Sequence, residues 1–122
     1  MKAEISILLL LVTVLSSSCY YDKEELLYGT TVCDTANVKY TTQIAPVISA
    51  SCLSCHGGNA SAGGGIQLGD YSSFKVQAAN GKLLGSVTQV PGFSPMPKGG
   101  AKLSDCNVAV IRTWIRNGMP NN

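Results

Sequence analysis

The sequence predicts a small all-α, loop-rich domain. Three observations carry this. Three segments bear helix start, stop and periodicity signals, and no run has convincing strand length. The 122 residues, with thirteen glycines and 13% charged residues, suit one domain better than two, and a folded domain better than a charged rod or a disordered tail. Only the stretch from Ile66 to Leu68 reads as extended.

The first helix is expected from about Gln43 to Cys52, with Thr41 or Thr42 as N-cap and Pro46 in the first turn, where its missing N–H is harmless. Ile44, Val47 and Ile48 share one face, and the helix delivers Cys52. The second opens after Asp70 as N-cap and runs to about Ala79, where Asn80-Gly81 stops it; Phe74 and Val76 are its apolar contributions. The third follows Ser104 as N-cap. Leu103 is placed to pack on Val108 as a hydrophobic staple, while Asp105 in the first turn and Arg116 in the last complement the helix dipole. Val108, Ile111 and Ile115 form one stripe, which Trp114 widens beside Val110; Gly118 and Pro120 end the helix, and Met119 reads as a frayed end.

The most restrictive counts are five cysteines and one histidine. A lone histidine excludes any site that needs two imidazoles from this chain: a His/His-ligated haem, a Cys2His2 zinc finger or a His-rich zinc enzyme. Five is odd, so the cysteines cannot all pair within one chain. The net charge of +2 argues against a nucleic-acid partner.

Lys2 precedes an apolar run of eleven residues, Ile5 to Leu15. A spanning helix needs about 20, so the run has the length of a secretory signal core. Ser16-Ser17-Ser18 then leads to Cys19. This pattern resembles the lipobox of bacterial lipoproteins. The resemblance implies a signal over 1–18, a lipidated Cys19 and an exported, membrane-anchored protein facing the periplasm. The competing reading is an ordinary cleaved signal with an incidental cysteine. Residues 19–37, beginning Tyr20-Tyr21-Asp22-Lys23-Glu24-Glu25, read as a tether behind the anchor, and 38–122 as the domain. Acidic residues behind the lipidated cysteine also resemble the signal for display on the outer-membrane surface; a plain solvated linker reads equally well. An exported chain meets an oxidising compartment, where disulfides persist.

Residues 52–56 read Cys52-Leu53-Ser54-Cys55-His56, the CxxCH of c-type haem attachment. Two thiols at this spacing can each add to a vinyl group of one porphyrin, and the following histidine then lies under the iron. Three other readings compete. A thioredoxin-like CxxC needs a βαβ alternation that is not visible. A zinc site needs more ligands, and Cys33 and Cys106 are distant in sequence. A Cys52–Cys55 disulfide leaves His56 without a role.

With no second histidine, the other axial position falls to methionine, to an oxygen or to nothing. Met96 lies in Pro95-Met96-Pro97, where prolines on both sides forbid regular helix and favour a loop that presents a thioether. Between His56 and Met96, Gly57, Gly58, Gly63, Gly64 and Gly65 form a loop without the ending of a phosphate-binding motif. Ile66 and Leu68 offer apolar contacts, and Tyr71 is either a hydrogen-bond donor to a haem propionate or a structural tyrosine.

Together Cys52-Leu53-Ser54-Cys55-His56, Met96-Pro97 and the last helix with Trp114-Ile115 resemble the small monohaem cytochromes c with His/Met ligation, over about Lys39 to Met119. The resemblance implies three main helices around one covalently bound haem c. Cys52 and Cys55 then form the thioethers, His56 is the proximal ligand and Met96 the distal one. It implies an electron carrier rather than an enzyme. The alternative is a five-coordinate haem serving a gas sensor or peroxidase-like chemistry. At the helix crossing the family often has a glycine and an aromatic, where the first helix here offers Ala45 and Ala50.

Cys33 and Cys106 are left over, and in an oxidising compartment they are expected to pair. The long loop between them gives a chain-entropy stabilisation of about 4 kcal/mol. Charge is unevenly spread. From Cys19 to Asp34 there are four acids and one base, net −3; from Thr35 onward there are seven bases and two acids, net +5. Lys98 and Lys102 flank the methionine loop, which predicts docking to an acidic redox partner with a rate that falls as salt rises.

Overall fold

A computed structural model describes residues Cys33–Asn122; the expected signal over 1–18, the expected lipidation site Cys19 and the start of the expected tether lie outside the described residues. Lys39 is extended (φ −112°, ψ 145°) and opens a π-helical turn, Tyr40–Ile44, that runs directly into α1, Ala45–Ser51. The helical path therefore begins ahead of the expected Gln43, and neither Thr41 nor Thr42 caps it. The cap comes from elsewhere. The side-chain oxygen of Gln43 accepts the Lys39 N–H at 2.9 Å. Asn122, at the far end of the chain, accepts the Tyr40 N–H on its side-chain oxygen and the Thr41 N–H on its backbone oxygen, each at 2.9 Å. Three of the donors that a helix start leaves orphaned are thus satisfied without a threonine.

Cys52 interrupts the helix (φ −122°, ψ −38°), and the single turn α2, Leu53–His56, follows. A glycine-rich loop containing the 3-10 turn Ser61–Gly63 leads to α3, Tyr71–Ala79. Asp70 caps α3 as expected, accepting the Ser73 N–H at 2.9 Å and the Ser73 hydroxyl at 2.8 Å. A hydrogen bond from the Ser72 hydroxyl first, and then these two from Ser73, favour the charged form and hold the Asp70 carboxyl below the ordinary aspartate range, at about 2. Phe74 and Ala78 face the core, one turn apart, while Val76 is exposed, contrary to the expectation that it packs inward.

A fourth helix, α4, Lys82–Val87, has no counterpart in the sequence reading. Asn80-Gly81 ends α3 but also starts α4: the Asn80 side chain accepts the Lys82 N–H at 3.0 Å, and Gly81 turns the chain at φ 77°. The last helix, α5, spans Asp105–Arg116, with the Ser104 hydroxyl accepting the Asn107 N–H. Leu103 and Val108, the expected staple, are both buried. Trp114, fully buried, is the centre of the helix face rather than its margin, and Ile115 is only half-buried. Among the described residues there is no strand, so the all-α class holds; Ile66 to Leu68 joins no ladder. No helix among them is long and apolar enough to cross a membrane.

Trp114, Phe74, Ile44 and Ile111 form the innermost packing. The rings of Tyr40 and Phe74 lie 5.7 and 5.6 Å from that of Trp114, and Tyr71 meets Tyr40 edge-on at 5.1 Å. Tyr40, not Ala45 or Ala50, is the aromatic between the first helical segment and α5. The segment after α5 is tied down rather than frayed. Trp114 accepts the Met119 N–H on its carbonyl and donates its indole N–H to Pro120 O, while the Tyr71 hydroxyl donates to Met119 O at 2.8 Å. Residues 33–37, read as tether, also touch the domain: the Gln43 side-chain amide donates to Asp34 O at 2.9 Å.

Candidate functional site

The motif Cys52–His56 folds into one turn because the Cys52 carbonyl accepts two N–H groups, from Cys55 at 3.2 Å and His56 at 2.9 Å. Cys52 sits at the helix break, half-buried against the core, and burial pushes its thiol up from the ordinary range. Cys55 is exposed; both are free thiols and are not joined to each other. The two sulfurs therefore have different surroundings although they are two residues apart.

His56 is the one buried polar side chain among the described residues, 9% exposed. Its Nδ1 lies 2.8 Å from the carbonyl oxygen of Ile66. A carbonyl only accepts, so Nδ1 carries the hydrogen and Nε2 is the atom with a lone pair to offer. The returning segment is fastened a second time, where the Leu68 N–H donates to His56 O at 2.9 Å. Gly63 makes the approach possible. A Cβ built on it would meet His56 Nδ1 at 2.5 Å, Cys55 O at 2.6 Å and His56 Cε1 at 2.9 Å. The loop glycines are therefore not equivalent: Gly64 and Gly65 have left-handed backbones (φ 65° and 79°), whereas Gly63 is required by space. Ile66, expected as an apolar contact, supplies its carbonyl, and its side chain is 42% exposed beside the histidine; Leu68 is in the core.

Met96 is half-buried in the loop after α4, and its N–H donates to Ser86 O at 3.0 Å. The unexpected helix α4 is thus the support of the methionine loop. The Tyr71 hydroxyl donates to Met119 O at 2.8 Å. Lys98 is exposed, but Lys102 reaches Asp105 Oδ1 at 3.7 Å, so the loop's positive charge is partly countered. Cys33 and Cys106 come together at disulfide-bonding range, with Cα atoms 5.3 Å apart.

The donor chemistry can be tested against the expected group. A haem c needs two unpaired thiols, a neutral imidazole with Nε2 free and room for the ring beneath the iron. Cys52 and Cys55 are unpaired, the Ile66 carbonyl fixes the required tautomer, and the missing Cβ of Gly63 leaves the ring its space. No three His, Cys, Asp or Glu side chains converge as a metal-binding set among the described residues. Sequence reasoning placed Gly63 in the loop without its steric role, and missed the Ile66 carbonyl and Ser86. Only Gly63 left a trace, one glycine within a run of three.

No family model, curated protein or solved structure matches the chain.

Proposed function

We propose that the chain is a lipid-anchored monohaem c-type cytochrome that carries single electrons between exported redox proteins. The observation that carries this is the 2.8 Å contact of His56 Nδ1 with Ile66 O, which leaves Nε2 free to ligate, in a CxxCH motif whose two thiols are both free. When bound, the haem would supply the Fe(II)/Fe(III) couple. The protein's own groups do the rest. Cys52 and Cys55 would hold the macrocycle covalently, His56 Nε2 would ligate, and the Ile66 carbonyl would keep the imidazole oriented and electron-rich. Met96 would close the opposite position with a thioether, which favours the reduced form. The excess of lysine and arginine from Thr35 onward supports docking to an acidic partner.

Expression with a cytochrome c maturation system tests the reading. The expected result is haem that stays on the chain through boiling in detergent, and is lost in a Cys52→Ala/Cys55→Ala double variant. A wild-type chain without covalent haem overturns it. Slow carbon monoxide binding by the reduced protein is expected of the electron carrier; rapid binding favours a five-coordinate sensor or peroxidase-like protein.

A further inference from the structure

The loop that carries Met96 is clipped to α4 by a ring. Two α4 carbonyls accept loop N–H groups: Gly85 O from Val90 and Ser86 O from Met96, each at 3.0 Å. Between these two anchors lies Phe93, whose N–H donates to Val90 O. Gly85 is buried, and a Cβ built on it would lie 2.5 Å from Phe93 Cγ and 2.6 Å from both Cδ atoms. Three nearly equal distances mean that the face of the ring, not its edge, lies on the glycine. Gly85 sits inside a helix with no left-handed backbone, so its lack of a side chain serves this contact and not a turn. The outer face of Phe93 remains open, with 41% of the residue exposed. The ring is a clasp laid over the helix from outside, three residues before the methionine.

We propose that Phe93, seated on Gly85, is a positioning residue for Met96. Seated, it keeps the Val90 and Met96 hydrogen bonds to α4 in register and fixes where the thioether points. Unseated, the segment swings away and the thioether leaves its place, so a small ligand such as carbon monoxide reaches the iron. This rests on the reading of Met96 as the second axial ligand. It makes Phe93 the residue that decides between a closed electron carrier and an open, ligand-binding haem.

The test uses the full-length, haem-loaded chain. Two signals are read: the far-red absorption band that iron–thioether ligation gives the oxidised form, and the rate of carbon monoxide binding to the reduced form. Phe93→Ala is expected to lose most of the band and to bind carbon monoxide about tenfold faster, because the open form becomes the populated one. Gly85→Ala displaces the ring from the other side and is expected to do the same. Phe93→Tyr keeps a ring of the same shape and restores both signals. If Phe93→Ala loses its helical circular dichroism, Gly85→Ala decides by the same criteria. A band and a rate within about twofold of wild type in both Phe93→Ala and Gly85→Ala overturn the clasp. A band that survives Met96→Ala, or is missing from the wild type, overturns the ligand assignment and the clasp with it. A band lost in Met96→Ala but kept in Phe93→Ala overturns the clasp alone.

Discussion

The Nδ1–H of His56 donates to the carbonyl of Ile66 across 2.8 Å, and Gly63 lies so close to the same ring that no β-carbon fits between them. Gly63→Ala therefore pushes the ring away and breaks the bond. The expected cost is about 1–2 kcal/mol, the price of one well-made hydrogen bond and its buried acceptor. Nitrogen chemical shifts of the haem-free chain check it directly: the wild type is expected to hold one tautomer, protonated at Nδ1, and the variant a mixture. In the haem-loaded protein the same substitution is expected to shift the midpoint potential, since the ligand loses the partner that makes it electron-rich.

Trp114 is fully buried, and its indole N–H donates to Pro120 O at 2.9 Å. Trp114→Phe keeps an aromatic in the core but removes volume and strands that carbonyl. A loss of about 2–3 kcal/mol is expected, seen as a lower urea midpoint with an unchanged slope. Because Pro120 and Met119 are held through Trp114, amide exchange of the final residues is expected to quicken in the variant.

Asp70 gives acid sensitivity a specific location. Its folded-state value of about 2 lies below the ordinary one of 3.8, so the carboxylate form stabilises the fold. The contribution is present in full above the ordinary value and disappears as pH falls through about 2. Asp70→Ala is expected to lower the melting temperature at pH 6, and the gap from wild type is expected to close as the solution is acidified through that window. A gap that stays constant with pH means that the cap acts through its shape and not its charge.

The four cysteines of the described region divide into two kinds. Among these four, mass spectrometry of the unreduced, haem-free chain is expected to find one disulfide, Cys33–Cys106, and two thiols, Cys52 and Cys55. Of those thiols, exposed Cys55 is expected to react with a maleimide well before half-buried Cys52. Cys33→Ser/Cys106→Ser is expected to lower stability by about 2–4 kcal/mol.

Features whose cause is local were readable from the chain. Asp70 and Ser104 cap the helices that follow them because the bonding is to residues three positions on. Leu103 and Val108 are both buried on the same principle, a contact across one turn. What escaped had its cause at a distance. The first helical segment starts early because Asn122, some eighty positions away, supplies the acceptors. Val76 fits an apolar pattern in α3, but the face toward Trp114 is taken by Phe74 and Ala78. Helix α4 is six residues with a glycine inside, too short and too weak in propensity to announce itself, and it persists because Leu83, Gly85 and Val87 are buried. At the site, CxxCH was visible as side chains, whereas the parts that orient it, a backbone carbonyl and an absent methyl group, have no side-chain signature to read.

The Cys33–Cys106 contact joins positions 73 apart, and the fold brings them into range by placing the start of α5 beside Cys33. Cys52 and Cys55 belong to a single turn that forms early and locally. In an oxidising compartment a chain acylated at Cys19, as proposed, would carry four thiols, for which three complete pairings exist. Only the finished fold sorts them, by bringing one distant pair within bonding range and leaving the motif thiols apart from it. The Cys33–Cys106 bond therefore reports that its two distant ends have met as the fold places them, and any other pairing joins cysteines that the fold does not hold together.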